Sequence, residues 1–241
     1  MRRIPLLTGL ALRDLWISFR LLATISLLVA AAAPAVLIPR TATAALAGAP
    51  PGPLTWYAAA LAVALATAGG LAAWSMAVMR RRGTAAWLAV RAVPRSSILL
   101  GWFAADGLVL VAGASLSALL AWLVLGGESG VLATSGGYAV TVMAVVAAGL
   151  LAVAAGLLLG SMLRPAVAAL SAAALCAAAG LVVVAGWLGM GPEPMGGLAQ
   201  LAHIELQSRP VATGLASTGM ALAAVGALLT IASAALDRTD L

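Results

Sequence analysis

Few side chains in this sequence could carry out catalysis or bind a metal, and they are far apart. Hydrolysis inside a membrane needs a nucleophile beside a histidine base, or a pair of aspartates. The chain has one histidine, His203, near Glu205, and one cysteine, Cys176. These cannot supply the three or four ligands of a zinc site, and there is no lysine for a nucleotide phosphate loop. The sequence therefore predicts no catalytic residue, no metal site and no cofactor-binding site on this chain, with His203 and Glu205 in a solvated loop.

Asp106 is the acidic residue that lies inside a long apolar segment. It follows Arg95 by eleven residues, which is about 16 Å along a helix. An ionisable group at that depth is a candidate for function by default. The alternative is that Asp106 pairs with an arginine near the membrane surface, such as Arg20 or Arg164, or hydrogen-bonds a hydroxyl group. Both interpretations stay open from the sequence.

A short basic segment, residues 80–95, lies between two apolar stretches and begins with three consecutive arginines. Gly83 can break the helix before it, Thr84 can cap a new helix over about 84–93, and Pro94 ends that helix. One side of this helix carries Thr84, Trp87, Leu88 and Arg91. Such a helix suits docking to a soluble partner, and equally it could lie on the membrane surface beside a stop-transfer signal.

The composition predicts that most of the chain is in contact with lipid. The chain has 241 residues, of which 64% are hydrophobic and 8% charged, with a mean hydropathy of +1.13. A soluble domain carries about 25% charged residues, so this chain lacks the polar surface to coat a globule. We expect an all-α polytopic membrane protein that forms a single transmembrane domain over residues 1–241.

Six membrane spans are predicted, each with the roughly 20 apolar residues that a crossing requires. They cover about 21–39, 54–79, 96–125, 137–160, 166–188 and 211–236. Residues 4–20 precede them as an amphipathic interfacial helix, because Leu12, Leu15, Trp16 and Phe19 share one side. The alternative for residues 4–20 is a simple extension of the first span. Trp56 and Tyr57 are predicted to mark the membrane interface where the second span begins.

The arginines orient these spans. All thirteen basic residues are arginine. With both termini inside, only Arg40 and Arg209 lie outside, and the other eleven lie on the cytoplasmic side. This positive-inside bias predicts a multi-pass protein of a prokaryotic cytoplasmic (inner) membrane, with cytoplasmic termini and a cytoplasmic segment 80–95.

Small residues recur throughout the predicted spans. The clearest pair is Gly156 and Gly160, which are separated by three leucines. Such spacing permits close helix packing or dimerisation, although in an alanine-rich chain it also arises by chance.

The basic segment resembles a known loop. Residues 80–84, Leu88, Pro94-Arg95 and residues 98–101 are similar to the loop between spans two and three of type-2 ATP-binding-cassette permeases. Members of that family typically read E-R-E-x-G-T-L-E-x-L-L, then P-[VL]-[ST]-R, then I-L-x-G-K. In this chain Arg81 and Ala86 stand where glutamates are common, and Trp102 stands where the family often has lysine.

The resemblance implies the membrane-spanning subunit of an exporter that is driven by a separate cytoplasmic ATPase. ATP and Mg²⁺ would bind to that partner, and a second permease subunit, identical or related, would complete the complex within the lipid; no nucleic acid is implied. The expected docking surface consists of Arg82, Gly83, Thr84, Trp87, Leu88 and Arg91. The expected path is lined by spans one, two and five, whose small and aliphatic side chains favour an apolar or amphipathic cargo. The alternatives are an ion-coupled secondary transporter that uses Asp106, and a membrane scaffold or assembly factor without transport.

Overall fold

The computed structural model describes residues 3–33, 53–83, 88, 93–125, 135–187 and 210–238. Within these residues the chain forms seven helices and no strand. The helices are α1 (Arg3–Ile17), α2 (Arg20–Ala30), α3 (Pro53–Arg81), α4 (Arg95–Leu125), α5 (Ser135–Met162), α6 (Pro165–Trp187) and α7 (Pro210–Arg238).

Four of these helices are long and apolar enough to cross a membrane. The qualifying stretches are Ala59–Arg81, Arg95–Ala121, Val145–Met162 and Leu215–Arg238, with mean hydropathies from 1.7 to 2.2. Two further apolar stretches, Arg20–Ala30 in α2 and Pro165–Gly180 in α6, are shorter. The protein is therefore a helical membrane protein. The total of six spans stays a prediction.

Helix α5 is the centre of the bundle, because it packs against α3, α4, α6 and α7. Helix α3 makes the second set of extensive contacts, with α6 and α5. Helices α1 and α2 both pack along α4. α7 is the most exposed of the four long helices, since only 17% of its apolar window is buried inside the chain.

The contact between α3 and α5 is made through glycine. A Cβ atom added at Gly156 would overlap the carbonyl oxygen of Gly69, and one added at Gly160 would lie 2.5 Å from the carbonyl oxygen of Ala73. The two backbones can approach this closely only where a side chain is missing. The Gly156 and Gly160 pair, which suggested either close packing or dimerisation, is thus used for packing within the chain.

Several helix ends meet at one end of the bundle. A hydrogen bond joins Arg80, at the end of α3, to the carbonyl oxygen of Gly160, near the end of α5. Another joins Arg95, at the start of α4, to the carbonyl oxygen of Leu236 near the end of α7. α1 reaches the same end, where Leu7 packs against Gly101. We refer to this as the arginine end.

Away from the arginine end, Tyr57 lies near the start of α3 and faces the inside of the bundle, and its predicted place at the membrane interface stays a prediction. Its side chain is buried, and its hydroxyl group lies 3.4 Å from the Ser117 hydroxyl, which is buried on α4. A phenol can be buried in this way because the hydroxyl group has a partner. Tyr57 therefore fixes α3 against α4.

Helix α1 is separated from α2 by a bend at Phe19, whose φ of 58° lies in the left-handed region. Leu7, Ala11 and Leu15 are spaced four residues apart and are buried. The predicted apolar side of residues 4–20 is divided in the structure: Leu15 is buried, whereas Trp16 and Phe19 are exposed. Packing against α4 uses the i, i+4 row of Leu7, Ala11 and Leu15, and Phe19 lies beyond the end of α1. The interfacial position of residues 4–20 stays a prediction.

We predict that Gly156→Ala weakens the fold because its methyl group would overlap the α3 backbone. The free energy of unfolding should fall by ~1–3 kcal/mol, as for other overpacked cores, and thermal unfolding in detergent would measure it. Gly226→Ala is the matched control, because Gly226 lies in α7 with nothing near its missing Cβ. The control should be neutral or more stable by up to ~1 kcal/mol through helix propensity. Equal melting temperatures for the two variants would contradict the close crossing.

Candidate coupling segment and buried polar cluster

α3 ends at Arg81, inside the basic segment, and Gly83 follows shortly after it. Gly83 has a φ of 70°, a conformation that favours glycine. Its amide donates a 3.1 Å hydrogen bond to the carbonyl oxygen of Arg80, and the Arg82 amide donates one of 2.9 Å to Val78. These contacts close the last turn of α3, as a left-handed residue after a helix commonly does. The prediction that Gly83 breaks this helix is confirmed.

Near the other end of the segment, Pro94 immediately precedes α4, which begins at Arg95. The amides of Ser97 and Ile98 donate hydrogen bonds of 2.9 Å and 3.2 Å to the Pro94 carbonyl oxygen. Proline is tolerated here because its missing N–H would be unpaired in a first turn. Residues 80–95 therefore connect α3 and α4 directly.

The predicted docking residues are placed in different environments. Arg82 and Gly83 are exposed, whereas Thr84, Trp87 and Arg91 lie outside the described residues. Leu88 is 6% exposed and belongs to the main hydrophobic core, which also contains Met79, Ile98 and Trp102. Val93, partly buried, packs against the same core, and its amide donates a 3.3 Å hydrogen bond to the Leu88 carbonyl oxygen. Leu88 thus anchors the segment to the bundle and is not available as a contact surface.

The first and last arginines of the segment, Arg80 and Arg95, bind the carboxyl ends of two other helices. Nη1 of Arg80 donates a 3.1 Å hydrogen bond to the carbonyl oxygen of Gly160, in the last turn of α5. Nη1 of Arg95 donates one of 2.6 Å to the carbonyl oxygen of Leu236, in the last turn of α7. Carbonyl groups in the last turn lack intrahelical partners and carry a partial negative charge, so a guanidinium group is a favourable cap.

The two caps are made by the first and last residues of the segment, since Arg80 lies in the last turn of α3 and Arg95 is the first residue of α4. They join α3 to α5 and α4 to α7, so the ends of four helices are connected where the segment begins and ends. Displacement of the segment would therefore act on the ends of all four helices. A loop with this attachment can transmit a force from the arginine end into the bundle.

Asp106 lies beside Arg20 in the interior, and both line a small cavity of about 10 Å³ together with Thr24. Oδ2 of Asp106 and Nη1 of Arg20 are buried and have no hydrogen-bond partner among the described residues. Arg20 forms an ion pair with Asp14 and donates a 2.8 Å hydrogen bond from Nε to the Ser18 hydroxyl. A cavity of this volume has room for about one water molecule.

Of the two arginines proposed for Asp106, the structure brings Arg20 to it and leaves Arg164 exposed before α6. The ion pair of Arg20 is formed with Asp14, so the direct pairing with Asp106 expected as one alternative is absent from the described part of the chain. The sequence did not reveal the competition, because Asp14 and Arg20 come together only through the bend at Phe19.

The remaining candidate groups do not assemble into a site within the described residues. No group of three or more His, Cys, Asp or Glu side chains that could hold a metal ion is found there. Cys176 is partly buried on α6, beside Gly69 of α3. His203 and Glu205 lie outside the described residues.

We predict that Arg95→Gln loosens the end of α7, because the last turn loses its charged cap. The loss of one charge-assisted hydrogen bond corresponds to about 1.5 kcal/mol. Hydrogen–deuterium exchange of the last α7 turn should speed up, while the middle of α5 keeps its protection. Arg164→Gln is the control, since Arg164 is exposed at the same end. Unchanged exchange in the Arg95→Gln variant would contradict the capping role.

Comparisons with protein-family models, with curated proteins and with solved structures give no match in any of the three. The similarity of residues 80–101 to type-2 ATP-binding-cassette permeases thus stays a prediction from the sequence. The geometry of the arginine end is the structural basis on which a function can be proposed.

Proposed function

We propose that this chain is the permease subunit of an ATP-binding-cassette transporter, driven by a separate cytoplasmic ATPase. In this proposal the chain has six spans, and its termini and segment 80–95 lie in the cytoplasm. The ATPase docks on the segment through Arg82, Gly83, Thr84, Trp87 and Arg91. Leu88, which the sequence placed on the docking surface, holds the segment on the bundle.

The observation that supports this proposal is the attachment of the segment to four helices. A chain without its own nucleotide site must receive movement from a partner, and it needs a contact that spreads the movement over the bundle. Arg80 and Arg95 provide this contact through the carboxyl ends of α5 and α7. A stop-transfer loop would need its positive charge but not these two caps.

The transport path in this proposal lies between two permease subunits, identical or related, and is lined by α2, α3 and α6. The exposed side of α6 is apolar, with Val167, Leu170 and Leu175 at 50–72% exposure. This surface can contact lipid or a second subunit without burying an unpaired charge. A path of this character suits the export of an apolar or amphipathic cargo.

We predict that replacements on the docking surface release the ATPase. The wild-type chain should co-purify with a Walker-motif ATPase encoded beside it, whereas Arg82→Glu, Trp87→Ala and Arg91→Glu should each weaken the complex by tenfold or more, because aromatic and arginine residues dominate interfaces. Arg13→Glu is a control with an equal change of charge, because Arg13 is an exposed residue of α1 that lies outside the docking surface. Retention of the ATPase by all three variants would contradict the assigned surface.

A second candidate is an ion-coupled transporter that works alone, and the unpaired buried oxygen of Asp106 favours it. Asp106→Asn separates the two functions. If the ATPase-driven proposal holds, this variant keeps ATPase stimulation within about twofold of wild type, because Asp106 is on neither the segment nor its caps. If the chain works alone, proteoliposomes without any ATPase should show a proton or sodium flux that Asp106→Asn abolishes. Such a flux would contradict the first proposal.

A further inference from the structure

A groove crosses the exposed surface of α3 near the arginine end. Its floor is formed by Trp74, Val78 and Arg82, which are spaced four residues apart and so share one side of the helix. A cleft of about 460 Å³ extends from this floor towards the bend between α1 and α2. A second cleft of about 420 Å³ extends towards the start of α6. Both clefts are lined by these three residues, so they adjoin along α3, and we refer to the two clefts together as the groove.

One part of the groove is apolar and aromatic. The Trp74 side chain is 44% exposed, and Leu10 on the opposite wall is 47% exposed. Leu71 lines the same cleft, with Trp102 buried at its base. An exposed indole beside aliphatic side chains is typical of residues that contact lipid near the membrane–water boundary.

The other part is positively charged. Arg20 and Arg82 line the first cleft, and Arg81 and Arg82 line the second. The acidic residue in the lining is Asp14, which is engaged in the ion pair with Arg20. The first turn of α6, at Pro165, lies at the far edge and adds the partial positive charge of a helix amino terminus. Three guanidinium groups against one paired carboxylate leave the groove with a net positive charge.

We propose that this groove binds one membrane phospholipid with an anionic headgroup. The phosphate lies at Arg81 and Arg82, which are exposed and line the second cleft together, because guanidinium groups match the geometry of phosphate oxygens. Arg20, which is bonded to Asp14 and Ser18, adds positive charge without contacting the phosphate. An acyl chain lies along the exposed apolar surface of Trp74 and Val78. The lipid enters sideways from the leaflet at the arginine end, which in the proposed topology is the cytoplasmic leaflet.

Native mass spectrometry of the purified full chain, without ATPase, tests this inference. The probes are phosphatidylglycerol, which is anionic, and phosphatidylcholine with the same acyl chains. We expect one retained phosphatidylglycerol and about tenfold weaker binding of phosphatidylcholine, because the choline cation leaves that headgroup without net charge and is repelled by the arginines. Arg81→Gln and Arg82→Gln should each weaken phosphatidylglycerol binding by about tenfold, the factor expected for one lost charge-assisted hydrogen bond. Trp74→Ala should weaken both lipids.

Three variants separate binding from folding. Arg13→Gln removes an exposed arginine of α1 that does not line the groove, and it should bind like wild type. Arg81→Lys keeps the positive charge in the second cleft, so binding should recover relative to Arg81→Gln. Arg82→Gln changes an exposed side chain and should leave the melting temperature unchanged.

Several results would overturn the inference. Equal retention of the two lipids would exclude a site selective for the anionic headgroup, and wild-type binding in both glutamine variants would place the lipid elsewhere. Displacement by glycerol phosphate alone would indicate a free-phosphate site, and a lipid-free dimer would indicate that a second copy fills the groove. None of these results bears on ATPase docking, because binding is measured without an ATPase and Arg81, unlike Arg82, is not on the docking surface.

Discussion

The close crossing of α3 and α5 is the constraint from which the arrangement of the arginine end follows. In a lipid environment apolar side chains gain little by moving from lipid to protein, so helices associate through tight packing and hydrogen bonds. Gly69, Gly156 and Gly160 provide that packing by removing side chains where the backbones meet. The same contact places the last turn of α5 beside the last turn of α3. Arg80 therefore reaches the Gly160 carbonyl oxygen without leaving its own helix.

The two arginine caps solve an electrostatic problem in a way that also attaches the segment. A guanidinium group near lipid is costly unless its N–H groups have acceptors. The carboxyl ends of α5 and α7 have carbonyl oxygens that lack partners within their own helices. Nη1 of Arg80 and Nη1 of Arg95 each find such an acceptor, although Nε of Arg80 is buried with no partner among the described residues. The contacts join the ends of α3 and α4 to helices that are distant in the sequence. These two arginines thus have a structural role within the bundle.

Features that depend on local backbone chemistry were predictable from the sequence. Gly83 follows the end of α3 because glycine accepts a positive φ, and Pro94 precedes the start of α4 because proline cannot donate a backbone hydrogen bond. The contacts of individual side chains were less predictable, because they depend on partners from elsewhere in the chain. Leu88 was expected on a docking surface, yet its apolar side chain is buried in the core, and the contact of Tyr57 with Ser117 had no signal in the sequence.

The same reasoning explains what the sequence left open. The Gly156 and Gly160 pair fits an internal contact and a dimer equally well, and only the approach of Gly69 and Ala73 decides between them. Asp106 could not be assigned a partner because Asp14 competes for Arg20 across a bend in the chain. In each case the missing information is which helix packs against which.

The central claim is that the segment transmits ATPase movement through its two arginine caps. It can be tested by measuring the distance between spin labels at Met162→Cys and Leu215→Cys, both exposed, in a Cys176→Ser background with the ATPase bound. The account predicts that ATP shifts this distance in the otherwise wild-type chain and not in the Arg80→Gln, Arg95→Gln double variant, although that variant still binds the ATPase. An equal shift in the double variant, or no shift in the wild type while ATP is hydrolysed, would contradict it.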